Sequence, residues 1–401
     1  MVALTREPSN LNPVFLDINA GNWQMFNGLV TFDRDLNLEP DLASDMPEIS
    51  EDGRTVTVRL RDDVTFHDGE PLTAEDVVFT WESILNPDIA TPLRDRFALH
   101  GLVDEVSAID EHTVEFRLSR LDPAFVERLY VGIVPKHLLE DEDMNNTDFN
   151  REPVGTGPYR FVEWRPGDRM VWEAYEDYFH GPASIQRVVL TFVPDDNARV
   201  GLLRNGDIDF TRLTPGHAET FRESEAHQVF ELPTAGVYQV TLPAGNPALA
   251  DAEVRRALAL AIDREQMVET ILHGLGAPAY SQFVRGQWGH SPDIHTPHDP
   301  DAARQMLEEA GWSEGGDGFL EKDGQRLAFT VMYLATITED REFALALRSD
   351  LARIGVDVEV EGVQSPGYQD RLGQDAFLHG VGMPYDPEYV LRARFHSDFA
   401  D

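Results

Sequence analysis

The stretch from residue 42 to residue 85 constrains the fold of this chain more than any other. Glu51-Asp52-Gly53-Arg54 is an Asp-Gly turn, and the Thr55-Val56-Thr57-Val58-Arg59-Leu60 that follows alternates strictly, placing Val56, Val58 and Leu60 on one face. Such a strand belongs to a half-solvated sheet, with one face on a core and one in water. Asp62 to Gly69 turns the chain again. Thr73 and Asp76 then form a capping box that opens a helix to about Leu85, and Asn86-Pro87 stops it.

The same grammar recurs downstream. Val114 to Leu118 alternates as a strand, and Leu121-Asp122-Pro123 precedes a helix-like stretch to Leu129. Met170 to Ala174 alternates, and Val188 to Phe192 is apolar enough for a central strand. A helix is expected over Ala198–Arg204, broken by Gly206, with strand returning at Ile208 and Phe210. From residue 251, Val254, Leu258 and Ile262 with Ala257 and Ala261 predict an amphipathic helix; others run from Asp301 to Ala310 and from Phe343 to Ile354. Gly311 and Gly355 stop the last two, and Val356 to Val360 alternates again. Helix, glycine stop and strand in repetition indicate an α/β protein, and 401 residues exceed one ordinary core, so two or three domains are expected.

Charge narrows the function. The formal net charge is -39, which excludes nucleic-acid binding through phosphate neutralisation. Only Lys136 and Lys322 are lysines, neither in a P-loop frame. Without cysteine there are no disulfides, thiolate metal sites or thiol nucleophiles. Hydrophobic content of 42% marks a folded chain, so the acidity is a surface property. Acidity with Arg in preference to Lys fits a halophilic protein kept soluble at high salt, where screening relieves self-repulsion; an acidic mesophilic protein from a GC-rich genome fits too. No run of 18 apolar residues occurs, and the first residues lack the charge and apolar pattern of a signal peptide.

Signatures of catalysis fail: G-x-S-x-G, H-E-x-x-H and S-x-x-K are absent, and no cofactor is expected. Gly155-Thr156-Gly157 precedes a strand where a dinucleotide fingerprint requires a helix. Asp33, Asp35 and Asn37 imitate a calcium loop but lack its glycine and glutamate, so a hairpin turn is expected. His290, His295 and His298 lie among prolines and read as loop. Trp23, Trp288 and Tyr385, in loop-like segments with Arg285 and Asp386 near the last two, have the composition of a small-molecule cleft, although core packing accounts for such residues equally well. Asn145-Asn146-Thr147 has the form of a glycosylation acceptor.

Four blocks, in order, then resemble one family. Leu42 to Ser83, Pro153 to Phe210 (PVGTGPYRFVEWRPGD, LLRNGDIDF), Ala252 to Gly276 and Ala302 to Trp312 are similar to the extracytoplasmic solute-binding proteins of peptide and nickel ABC importers, family 5. The resemblance implies an α/β, two-lobed periplasmic-binding-protein clamshell (class C type) with an extra α/β subdomain. Lobe one would comprise 1–36 and 151–235, the inserted subdomain 37–150, and lobe two 236–401 with its C-terminal part missing. It implies a monomer outside the cytoplasm, periplasmic or anchored at the cell surface, that closes on a solute and delivers it to ABC permease subunits, without catalysis and without nucleic acid.

Cargo is divided between two branches. Where peptide-binding members carry an acidic residue before the Tyr of this segment, Met383-Pro384 stands here. The PYDP form of Pro384-Tyr385-Asp386-Pro387 resembles the nickel branch, in which a Tyr, a Trp and a downstream His line the site; Tyr385 matches, Val381 replaces the Trp, and His396 is a loose candidate. That branch also holds chelator carboxylates with arginines, and Arg94, Arg96 and Arg128 lie in the corresponding regions. The expected ligand-binding set is therefore Trp23, Arg94, Arg96, Arg128, Arg285, Trp288, Tyr385, Asp386 and His396. An export signal is not in the chain, and truncation at both ends is expected. A cytosolic ligand-sensing regulator and a hydrolase remain as competing readings, opposed by the charge and by the missing nucleophile frames.

Overall fold

A computed structural model describes residues 1–15, 22–33, 37–231, 236–285, 287, 289–335, 337–364 and 368–382. The chain forms two compact units, Met1–Leu213 and a second that begins at Thr214.

In chain order the first unit carries β1 (Val2–Leu4), β2 (Val30–Phe32), β3 (Leu38–Pro40), β4 (Glu48–Ile49), β5 (Thr55–Arg59), α1 (Ala74–Leu85), α2 (Leu93–Arg96), β6 (Val103–Asp110) and β7 (Thr113–Leu118). After α3 (Lys136–Leu139) come β8 (Tyr159–Arg165), β9 (Arg169–Ala174), β10 (Arg187–Phe192), α4 (Asp196–Asn205) and β11 (Phe210–Thr211). The sheet β4-β5-β7-β6 buries Val56 and Val58 beneath α1, as the alternation requires. The capping box is present: Thr73 N–H and hydroxyl both donate to Asp76 Oδ2, at 2.9 and 3.0 Å.

A five-stranded sheet runs β11-β1-β10-β9-β8, with β10 central and β1 parallel to both its neighbours. Its Met170, Trp172 and Leu190 belong to the same buried cluster as Trp81, Phe116 and Phe125 around the other sheet. One core thus serves both sheets. The helix-like stretch before Leu129 is a 3-10 helix, Phe125–Tyr130. Asp33 and Asn37 close the β2–β3 hairpin, Asn37 donating to Asp33 from its backbone and its amide at 2.8 and 2.9 Å.

The second unit carries α5 (Pro215–Glu219), β12 (Gly236–Thr241), α6 (Ala252–Ala261), α7 (Arg264–Ile271), α8 (Pro300–Glu309), β13 (Ser313–Glu314), β14 (Leu320–Lys322), β15 (Gln325–Arg326), β16 (Ala328–Leu334), α9 (Thr338–Arg353), β17 (Asp357–Val363) and β18 (Ala376–Gly382). Its main sheet is β12-β18-β16-β17, with α6 and α9 over one face. The helix expected from Val254, Leu258 and Ile262 is α6, and α7 follows it at once. Ile262 is extended, Asp263 accepts from Gln266 N–H at 2.9 Å to start α7, and the buried Asp350 takes the Asp263 N–H at 3.1 Å. The N-cap directly after the apolar run starts the next helix there. α9 starts five residues before Phe343, because Thr338, Glu339 and Asp340 form a first turn that suits the helix dipole.

Candidate functional site

The GTG segment shows why its residues are small. A Cβ on Gly155 would lie 2.0 Å from Met25 O, and one on Gly157 2.5 Å from Met25 C, so residues 155–157 lie directly against the backbone at 24–26. His67 clamps the same segment. Gly155 N–H donates to its Nδ1 at 3.2 Å, which leaves the ring proton on Nε2 to donate to Gly157 O at 2.9 Å. Both nitrogens are engaged by the neutral ring, and burial pushes the imidazole pKa down to about 4. Beside it, Asn27 donates to Asp41 at 2.9 Å and to the Tyr178 hydroxyl at 3.1 Å, while Thr156 donates to Asn27 Oδ1 at 3.2 Å. Burial raises the Asp41 carboxyl, opposed by the Asn27 hydrogen bond and by His180. A recess of about 340 Å³ borders His67, but its acids are occupied: Asp68 by His137 at 2.8 Å, Glu173 by Arg160 and Arg187. This region is a structural junction.

An exposed aromatic wall lies on the same unit. Trp23, on a 3-10 turn, is 50% exposed and stacks on Tyr130 with centroids 5.3 Å apart and planes 24° apart. Tyr130 is backed edge-on by Phe97 at 5.7 Å and Phe32 at 6.0 Å. The approach is close because Leu29 N–H donates to Leu129 O at 2.8 Å and Gly28 has no Cβ to meet the Tyr130 backbone. Ala98, next to Phe97, has φ of 50°, a left-handed conformation rare for a residue with a Cβ. An indole held face-out on a rigid aromatic base offers apolar and π contact to a solute.

The expected arginines have three different fates. Arg128 is buried and ion-paired to buried Asp122 at 3.0 Å, so it serves the interior. Arg94 donates to Ile84 O at 2.9 Å, to Ile89 O at 2.6 Å and to Asn86 O, which spends its guanidinium on main-chain carbonyls. Arg96 is exposed, immediately before Phe97, and makes no ion pair with the described residues. Arg285, in the second unit, is likewise exposed. Trp288, Tyr385, Asp386 and His396 lie outside the described residues. Of the expected set, Trp23 and Arg96 are both exposed on the first unit, and Arg94 and Arg128 are turned to structural work. Tyr130 and Phe97 were not legible as parts of a site, since nothing in their local sequence reveals the stack.

The histidine cluster disperses: His290 meets Phe283 O at 3.2 Å, His295 packs tilted against Tyr280 with centroids 4.5 Å apart, and His298 lies 3.3 Å from Asp263. Among the described residues, no group of three or more His, Cys, Asp or Glu could hold a metal ion, and no helix is long and apolar enough to cross a membrane.

Residues 37–400 match the model of bacterial extracellular solute-binding proteins, family 5 Middle. Protein XP55 of Streptomyces lividans is 36% identical over 400 residues, covering 100% of this chain and 73% of the relative. The oligopeptide-binding protein AppA of Bacillus subtilis is 32% identical over 390 residues, covering 93% of this chain and 70% of the relative. Its structure with a nonapeptide superposes with a TM-score of 0.78 at 28% identity, over 100% of this chain and 82% of that one. NikZ of Campylobacter jejuni, solved with Ni(L-His), superposes with a TM-score of 0.87 at 31% identity, over 99% of this chain and 80% of that one. These likenesses explain the failed catalytic signatures and the ordered motif blocks together: the chain belongs to the family 5 extracellular solute-binding proteins, two-lobed substrate-binding components of ABC importers that bind and do no covalent chemistry.

Proposed function

We propose that this protein captures a peptide or a related small solute between two closing lobes and delivers it to a membrane permease. The observation that carries the reading is the half-exposed Trp23, stacked on Tyr130 with Arg96 nearby in sequence on the strained turn: a solute wall on a chain of this family. Ligand that touches both lobes only when they are closed stabilises the closed form by its differential affinity. The lobes we assign are 1–36 with 151–235, and 236–401, with 37–150 as the inserted subdomain. We place the protein outside the cytoplasm, in a periplasm or anchored at a cell surface, as a monomer with ABC permease subunits as partners. A halophilic setting accounts for the charge of -39.

Nickel-chelate capture is the second reading, favoured by the higher TM-score to NikZ than to AppA. A chelate brings most of its own ligands, so the protein need supply little beyond an aromatic wall and an arginine. Thermal melting with a nonapeptide library, and separately with nickel plus L-histidine, tests both. Cargo at one hundred times its Kd adds about 2.7 kcal/mol. With unfolding entropy of about 2 cal/mol/K per residue, that is a rise of about 3 °C for a chain of this size. If neither probe raises the melting temperature, both cargo assignments fall. Melting in low and molar KCl tests the halophilic setting, which predicts a rise with salt.

A further inference from the structure

The loop between α1 and α2 is pinned from three directions. Arg94 reaches back to the carbonyls of Ile84, Asn86 and Ile89, closing the loop on the C-terminus of α1. The Thr91 hydroxyl donates to Val14 O at 2.6 Å and accepts from Leu93 N–H at 3.1 Å. Asn145, remote in sequence, pairs with the loop as a strand would: its Oδ1 accepts from Ala90 N–H at 2.8 Å and its Nδ2 donates to Asp88 O at 3.0 Å. Every one of these bonds goes to main chain or fixes main chain. Their common product is the position of the residues that follow, Phe97 under Tyr130 and Ala98 in its left-handed conformation. A disfavoured backbone conformation persists where the surroundings over-determine it, and such sites concentrate near ligand walls.

We propose that Arg94 and Asn145 are positioning residues: by fixing the 86–98 loop they hold Phe97 against Tyr130, keep Trp23 stacked, and so set cargo affinity without touching cargo. The inference rests on the reading of Trp23 as a solute wall. It also gives the two side chains work different from what their sequence suggests, since Arg94 resembles a carboxylate-binding arginine and Asn145 a glycosylation acceptor. A rigid wall binds more tightly than a loose one because less ordering remains to be done when cargo arrives.

Asn145→Leu keeps the size and removes both bonds, Arg94→Met removes the three-carbonyl fork, and Asn145→Asp keeps only the acceptor. Three readouts are needed on the whole chain: hydrogen exchange over 86–98, acrylamide quenching of Trp23 (the difference from a Trp23→Phe protein), and affinity for the nonapeptide library and for nickel with L-histidine. We expect exchange over 95–98 to rise about tenfold or more, Trp23 to become more quenchable, and affinity for the probe that binds to fall about three- to tenfold, with Asn145→Asp intermediate. Unchanged exchange and quenching overturn the proposal whether or not a probe binds. If Trp23→Ala weakens binding and the clamp variants do not, the positioning role is wrong and the wall stands. If Trp23→Ala changes nothing while cargo binds, the wall itself is wrong, and exchange and quenching still decide what the clamp does. Should Asn145→Leu fail to fold, Asn145→Asp and Arg94→Lys carry the same comparison.

Discussion

His67 makes acid a specific perturbation of this protein. Its neutral ring accepts from Gly155 N–H and donates to Gly157 O, and protonating Nδ1 would set two donors against each other in a partly buried site. Folding lowers the imidazole pKa from 6.5 to about 4. The unfolded chain therefore binds the proton more readily than the folded one, so stability from this group is fully present above pH 6.5 and is lost as pH falls toward 4. A shift of roughly 2.5 units at about 1.4 kcal/mol each sets the total near 3 kcal/mol, of which about 2 kcal/mol is lost by pH 5. The assay is urea unfolding at pH 7.5, 6 and 5, on the wild type and on His67→Gln. Glutamine can donate and accept but does not titrate in this range, so the many carboxylates contribute equally to both proteins and cancel in the comparison. The wild type should lose about 2 kcal/mol more than the variant between pH 7.5 and 5. Equal losses would refute the neutral clamp.

Three further outcomes are expected. Gly157→Ala puts a Cβ 2.5 Å from Met25 C, a clash with main chain that no rotamer change relieves, and soluble folded yield should collapse in expression and circular dichroism. Asp122→Asn leaves Arg128 buried without its counter-charge and should destabilise by about 3–5 kcal/mol in urea, whereas Arg128→Met with Asp122→Leu should recover most of that loss. Asp340 is fully buried at the start of α9, and burial pushes its carboxyl up to about 6; its folded pKa lies above the unfolded value, so stability is lost as pH rises through 4 to 6. Asp340→Asn should therefore raise the melting temperature at pH 7.5 and not at pH 4, and equal effects at both would refute the assignment.

What could be read from the sequence was local. Val56 and Val58 declare a buried face by alternation, Thr73 and Asp76 declare a helix start, and both are set by neighbours within a few residues. The GTG segment was recognisable as a motif, but its reason was not, because it lies in the contact with residues 24–26, about 130 positions earlier. The start of α7 had a visible signal in Asp263, directly after the apolar period ends. Site residues were least legible. Trp23 gives no sign in sequence that Tyr130 lies beneath it, and Arg94 and Arg96 differ in fate although they are two residues apart on one short helix.

That last contrast bears on how an acidic protein can still bind an anionic group. A guanidinium committed to the fold is costly to release: freeing the buried Arg128 would strand Asp122, and freeing the half-buried Arg94 would give up its bonds to three carbonyls. Neither can be offered to cargo at small cost. The two lysines are engaged as well, Lys136 with Glu75 at 2.8 Å and Lys322 with Ala310 O at 2.7 Å. Arg96 differs because it is exposed and without an ion pair among the described residues, next in sequence to Phe97, which backs Tyr130. A carboxylate that reached Arg96 would meet a planar, always-charged donor that gives up no ion pair to receive it. With 72 acidic residues in the chain, an exposed arginine without a carboxylate of its own, at the end of a pinned loop, is where the balance of charge favours a ligand.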